Sequence, residues 1–249
     1  MAINIKSERE IKLMRESGRI LANVLKELET YVKPGISTLE IDKKCYEIIK
    51  SYGCIPSFLD YRGFPASLCI SVNDEVVHGI PDDYILREGD IVSLDCGVIY
   101  EGYHSDAART IPVGEITKEA KELIEVAEQS FYEGIKYAKE GKHLHEISEA
   151  IQTYVESFGF SVVRDLVGHG IGRDLHEEPN IPNFKQRNRG PRLREGMTLA
   201  IEPMINAGRY DVYCLDNDWT IVTEDGSLSA HYENTVLITK DQAEILTII

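Results

Sequence analysis

Between Asp90 and Arg109 two apolar runs flank the pair Glu101-Gly102, and an aspartate stands inside each run, Asp95 and Asp106. Such a pair between two strand-like runs is a natural two-residue hairpin loop. With the loop there, Tyr100 opposes Tyr103, Asp106 opposes Gly97, and Asp95 shares the face of Gly97, diagonally across from Asp106. A one-residue slip would turn the two acids to opposite faces, so loop length decides whether they share one space. Like charges in an apolar sheet are costly unless a cation holds them, and a divalent metal is the usual answer. Gly97 is expected to leave room for that ion.

Around this hairpin the chain repeats itself. Ser7/Glu10 and Ser37/Glu40 have capping-box spacing, and they open amphipathic helices that run up to Pro34 and Gly53. Two further helices are predicted over 117–141 and 143–159, and strands over 68–72, 197–202, 219–222 and 232–239. Lys33-x-Gly35, Glu40-Ile41 and Gly53 recur at one constant displacement as Lys139-x-Gly141, Glu146-Ile147 and Gly159. His78-Gly79-Ile80 recurs as His169-Gly170-Ile171, Leu86-Arg87-Glu88-Gly89 as Leu193-Arg194-Glu195-Gly196, and His104-x-Asp106 as His231-x-Glu233. Matches in the same order imply two related α/β halves, about 1–110 and 111–249, packed around a pseudo-two-fold axis as one catalytic unit. Asp95, Asp106, Glu202 and Glu233 then occupy equivalent places, and a site shared between the halves is the economical explanation. The second half alone carries the stretches around His176 and Trp219, and added loops of this kind commonly shape binding.

Four carboxylates and the imidazole of His169 make a hard, oxygen-rich set, suited to Mn, Fe or Co more than to a structural zinc site. Two ions sharing such acids would activate water near neutral pH and polarise a carbonyl, the needs of hydrolysis. Gly168, Gly170 and Gly172 around His169 imply a backbone that comes close to something, or simply a tight loop. Tyr61, Phe64, Cys69 and Trp219 suit either an apolar pocket or ordinary core, and Cys96 reads as a packed thiol rather than a nucleophile.

With 27 basic and 42 acidic residues among 249, the formal net charge is −15, which argues against broad binding to nucleic acid or to anionic membrane. The charged start has no apolar segment like that of a signal peptide, and no later run approaches a membrane span, so a cytoplasmic home is expected. Five cysteines without a Cys-x-x-Cys pair indicate neither a disulfide framework nor a zinc knuckle. The run Lys185, Arg187, Arg189, Arg192 and Arg194 reads as a solvated loop that could also touch an anionic surface.

Val76-Val77-His78-Gly79-Ile80-Pro81, Gly168-His169-Gly170-Ile171-Gly172-Arg173, His176-Glu177-Glu178-Pro179, Ile201-Glu202-Pro203-Met204 and Ser229-Ala230-His231-Tyr232-Glu233 together resemble type I methionine aminopeptidase in its compact bacterial form. The resemblance covers nearly the whole chain. It implies the pita-bread fold, an α/β (α+β) architecture whose two halves enclose a central antiparallel sheet. It also implies two divalent ions, drawn from Co, Mn, Fe, Zn or Ni, with Asp95 on one, His169 and Glu202 on the other, and Asp106 and Glu233 bridging. By the same resemblance Glu202 is the general base, His78 and His176 contact the substrate peptide with His176 supporting the oxyanion, and Tyr61, Phe64, Cys69, His78, Leu175 and Trp219 form the methionine pocket. Phe58, Phe64 and Leu175 depart from the residues frequent there yet keep the pocket apolar, and His231 replaces a common Gln beside the metals. The activity implied is removal of the initiator methionine, by a monomer, from nascent chains whose second residue is small and uncharged. Docking to the ribosome would need a local basic patch. The same fold also serves Xaa-Pro peptidases and non-catalytic binding proteins; the former usually carry an additional N-terminal domain, and the latter have lost ligands that are all present here.

Overall fold

A computed structural model describes residues 3–248 of the chain. Four helices carry the outer layer: α1 (Glu8–Tyr31), α2 (Thr38–Ser51), α3 (Lys118–Ile135) and α4 (Leu144–Ser157). Each starts where a side chain satisfies a free backbone donor at the helix end. Glu10 accepts the N–H of Ser7 at 2.8 Å, Glu40 that of Ser37 at 2.9 Å and Glu146 that of His143 at 2.9 Å, while Thr117 accepts the N–H of Ala120 at 3.1 Å. The buried stripe of α1 runs through Met14, Leu21, Leu25 and Leu28 and packs on the strands Ile91–Tyr100 and Tyr103–Pro112. Each such leucine contributes roughly 1.5–3 kcal/mol by leaving water. With α2 these strands enclose one apolar core, built on Leu21, Ile41, Leu68, Leu94 and Val98. A second core, with Phe131, Ile147, Ile151, Leu199 and Val236, lies beneath α3 and α4.

The hairpin has the register that its loop dictates: Tyr100 pairs with Tyr103, Gly97 with Asp106 and Asp95 with Ala108. Glu101 and Gly102 both have positive φ, 48° and 80°, the conformation whose twist matches the flanking strands. Strand Leu68–Val72 lies against the other edge of Ile91–Tyr100, placing Cys69 opposite Asp95. A five-stranded antiparallel sheet follows in the order Ala243–Ile245, Asn234–Ile238, Thr198–Ile201, Gly168–Gly170 and Glu177–Ile181. The two sheets meet where Ala108 and Glu233 exchange backbone bonds at 3.3 and 3.0 Å, and Thr235 Oγ1 accepts the N–H of Asp106 at 2.9 Å.

Equivalent contacts occur in the two parts of the chain: the N–H of Gly35 bonds Leu86 O at 2.8 Å and that of Gly141 bonds Leu193 O at 2.9 Å. The helix predicted to run to Gly141 ends at Ile135 instead. Tyr137 and Ala138 there bond back three residues, to Gly134 and Ile135, so the apolar spacing at Ala138 belongs to a tight turn rather than to another helical turn. The strand predicted over 232–239 is observed as Asn234–Ile238, and a break at 232–233 separates it from Ser229–His231, which lies in a different sheet. Glu233 sits in that break. Among the described residues no helix is long and apolar enough to cross a membrane.

Candidate metal centre and pocket

Asp95 and Asp106 come from facing strands of the hairpin, and Glu233 reaches the same space from the break beside Asp106. Glu202 follows strand Thr198–Ile201, whose Ile201 pairs with Asn234, so it emerges beside Glu233. His169 lies in the neighbouring strand, opposite Ala200. Close packing of that strand requires its glycines: a Cβ on Gly168 would stand 2.4 Å from Ala200 O, and one on Gly170 2.2 Å from Glu178 O.

These five residues line one cavity of about 160 Å³ together with His78, His176, Tyr61, Phe64, Cys69, Leu175 and Trp219. The twelve residues assigned to the metal centre, the pocket and the substrate contacts therefore face one space. Phe58 and Arg62 complete the lining. Sequence reasoning passed over Arg62, whose backbone is held at φ 53° between two other positive-φ residues, Asp60 and Gly63. The one available signal was its place inside the aromatic stretch from Phe58 to Phe64.

Ligand atoms of Asp106, His169 and Glu233 all lie within 4.8 Å of one another. Nε2 of His169 stands 3.9 Å from Asp106 Oδ2 and 3.7 Å from Glu202 Oε1. Oδ1 of Asp95, Oδ1 of Asp106 and Oε1 of Glu233 are buried without any hydrogen-bond partner. Three buried carboxylate oxygens without a hydrogen-bond donor in one cavity suit coordination of a cation. Without one, burial drives the acids towards their protonated forms: Asp95 is pushed up to about 7, and Asp106, Glu202 and Glu233 well above the carboxylate range, reinforced by one another's charge. His169 Nδ1 lies 2.8 Å from Gly170 O, so this nitrogen carries the proton and donates, leaving the Nε2 lone pair for the carboxylate centre. Burial lowers its pKa to about 4, so the ring is neutral, as a metal ligand must be. The donor set thus fits divalent metal ions, and the five residues named from the sequence are the ones that could hold them.

Gly97 does not supply the room expected of it. A Cβ there would meet Ser57 Cβ at 2.6 Å and Phe58 Cε1 at 3.0 Å, so its lack of a side chain serves the packing of the 57–58 segment rather than the centre.

Beside the acids the cavity is apolar and aromatic. Phe64 and Trp219 meet edge to face at 5.1 Å, and His78 stands edge-on to Trp219 at 6.5 Å. His78 has φ 60°, which costs a non-glycine residue of order 1–3 kcal/mol and is typical of functional positions. Burial lowers its pKa, keeping the ring neutral. His176 stacks on Tyr61, with Nδ1 2.8 Å from the Tyr61 hydroxyl, and its ring centre is 4.2 Å from that of His169. Burial, with His169 and Arg62 nearby, lowers the pKa of His176 to about 3. His231 is buried near the acids with neither ring nitrogen hydrogen-bonded, its Nε2 3.7 Å from Glu202 Oε2. Cys96 lies outside the cavity, its Sγ 3.5 Å from that of Cys45 and its thiol pushed up by that contact and by burial, as a packed thiol would be.

Residues 12–240 match the model of metallopeptidase family M24. A methionine aminopeptidase of Clostridium perfringens is 57% identical over 247 residues, covering 99% of each chain. The crystal structure of methionine aminopeptidase from Thermotoga maritima superposes with a TM-score of 0.97 at 45% identity, over all of both chains. The prolidase of Pyrococcus furiosus, 24% identical with a TM-score of 0.79, shares the fold, and the match covers 98% of this chain and 65% of the prolidase.

Proposed function

The chain belongs to metallopeptidase family M24, with its pita-bread fold, and from that premise we propose that it removes the N-terminal methionine from chains whose second residue is small and uncharged. The observation that carries this reading is the juxtaposition of an apolar pocket, walled by Phe64, Cys69, Leu175 and Trp219, with a buried centre of four carboxylates and one imidazole. The pocket takes an unbranched thioether side chain, and the centre takes the adjacent amine and carbonyl.

In this reading Asp95 would hold one divalent ion, His169 and Glu202 would hold a second, and Asp106 and Glu233 would contribute to both. Bound there, the ions supply a lowered pKa for water and polarisation of the substrate carbonyl. Glu202 is the group that takes a proton from the attacking water, on a carboxylate oxygen facing the centre, and hands it to the leaving amine. In this reading the Tyr61 hydroxyl, 2.8 Å from Nδ1 of His176, donates to it, so that Nε2–H would serve as a neutral donor to the developing oxyanion. A neutral ring suits this role, since an imidazolium beside the ions would repel them. His78, held at its strained φ beside Trp219, contacts the substrate peptide next to the scissile bond. In this reading the pocket encloses the methionine side chain, and only a small second residue is accommodated beside the centre. The reading carries with it a cytoplasmic monomer working on nascent chains. Ribosome docking would have to run through a local basic patch against the net charge of −15.

Release of the N-terminal residue from Met-Ala-Ser and from an Xaa-Pro peptide whose Xaa is not Met, by apo-protein titrated with Mn, Fe or Co, tests this. Release from Met-Ala-Ser alone, lost on chelation, is the expected outcome. Cleavage of only the Xaa-Pro peptide would move the substrate class, and silence on both with metal bound would refute the catalytic reading.

A further inference from the structure

An ion pair that takes no part in the chemistry above lies inside the protein beside His176. Lys6 Nζ is 2.5 Å from Glu177 Oε2, and both side chains are 5% exposed. Asn4 Nδ2 donates to the same oxygen at 3.1 Å. The other oxygen, Oε1, accepts the backbone N–H of Arg173 at 2.9 Å and of Asp174 at 3.4 Å. One carboxylate therefore closes the 173–177 turn on itself and fastens it to the segment 4–6. That segment is anchored in turn, because the N–H of Lys6 bonds Gly196 O at 2.8 Å.

The turn is tight at its other end as well. Gly172 O accepts the N–H of His104 at 2.8 Å, and a Cβ on Gly172 would stand 2.5 Å from Glu177 Oε1 and 2.7 Å from Lys6 Nζ. Between these two fixed points lie Leu175, in the wall of the apolar pocket, and His176. Tyr61 contacts the ring of His176, while its backbone is held from the C-terminal side by the clamp on Glu177 together with the pairing of Glu177 with Gly170. Burial by itself would raise the Glu177 carboxyl, yet the bonds from Lys6, Asn4 and the Asp174 N–H hold it below the ordinary value. A buried pair of this kind tolerates one geometry, and removal of either partner leaves an uncompensated charge that rearranges its surroundings.

We infer that Lys6 is a positioning residue for peptide hydrolysis: through Glu177 it fixes the turn that aims His176 Nε2 at the substrate carbonyl and sets Leu175 in the pocket wall. The inference rests on the reading in which His176 supports the oxyanion, so its test is built to separate the two. The substitutions Lys6→Met and His176→Ala and their combination, each in the full chain loaded with Mn, are assayed for kcat and KM on Met-Ala-Ser well below the melting temperature of each protein.

Misplacement of a catalytic group by about 1 Å can cost up to about 100-fold, so Lys6→Met is expected to lower kcat about tenfold with KM changed less than about threefold. In the His176→Ala background the same substitution should lower kcat less than about twofold, because residues that act through one group are not additive. The paired change Lys6→Gln with Glu177→Gln keeps a hydrogen bond without charge and should restore most of kcat, which also covers the case in which Lys6→Met folds poorly. A role confined to stability would lower the melting temperature while leaving kcat of the folded protein intact, or lower kcat by the same factor in both backgrounds; either result overturns the inference. Unchanged kcat in His176→Ala alone would instead overturn the role of His176 on which it rests.

Discussion

Glu75 offers a test of how burial controls the turn that carries His78. Its Oε2 accepts the N–H of Val72 at 2.8 Å and lies 3.1 Å from where a Cβ of Gly79 would stand, so the carboxyl braces the chain entering the His78 turn. Burial pushes its pKa from 4.5 up to about 7, with the charges of Asp74 and Asp82 adding to the effect and the Val72 bond opposing it. The folded state therefore holds the Glu75 proton more tightly than the unfolded state does. Stability from this group is fully present below about pH 4.5 and is lost as pH rises towards and through 7.

A shift of that size corresponds to about 3 kcal/mol at 1.36 kcal/mol per pH unit, and to about 2 kcal/mol once the water-facing part of the side chain is discounted. An amide in place of the carboxyl can still accept from Val72 but does not ionise. Glu75→Gln should match the parent at pH 4.5 and exceed it by about 2 kcal/mol at pH 8, or roughly 4–8 °C in Tm for a chain of this size. Calorimetry of both proteins across that pH range, at one metal loading, reads the difference directly. A constant difference between the two, or one that grows towards low pH, would refute the reasoning.

Tyr61→Phe removes the hydroxyl 2.8 Å from His176 Nδ1 and frees the tautomer; kcat should fall about tenfold with Tm within about 2 °C, read by steady-state kinetics and calorimetry. Leu175→Ala opens the pocket wall at a buried position, so stability should drop by roughly 2–4 kcal/mol in denaturant titration. KM for Met-Ala-Ser should rise in that variant while bulkier first residues gain relative rate. His231→Ala deletes a buried ring 3.7 Å from Glu202, and calorimetric titration should show metal binding weakened about 10- to 100-fold.

Much of the centre was legible because the sheet transmits sequence spacing directly into space. Once Glu101-Gly102 is the loop, pairing follows residue by residue to Asp106 opposite Gly97, and Asp95 can lie nowhere else. Capping boxes placed the starts of the first two helices for the same local reason. Strand Gly168–Gly170 was invisible, because three residues rich in glycine show no alternation; His169 was found from its repeat partner and its glycines. Gly97 was misjudged because the segment that fills its space, Ser57–Phe58, arrives from a distant part of the chain. The Lys6–Glu177 pair was beyond reach for that reason too, its partners lying 171 residues apart with no periodicity to join them. The bonds that hold the site's shape are long-range, whereas the groups that do the chemistry announce themselves in short motifs.

In the proposed function five side chains hold divalent ions beside the apolar pocket. Crystals of the Mn-loaded protein, measured at the manganese absorption edge, test it most directly through anomalous difference density. Two peaks are expected, one in contact with Asp95 and the other with His169 and Glu202, and both with Asp106 and Glu233. Density elsewhere, or none at these residues in a protein that binds manganese in solution, would contradict the account.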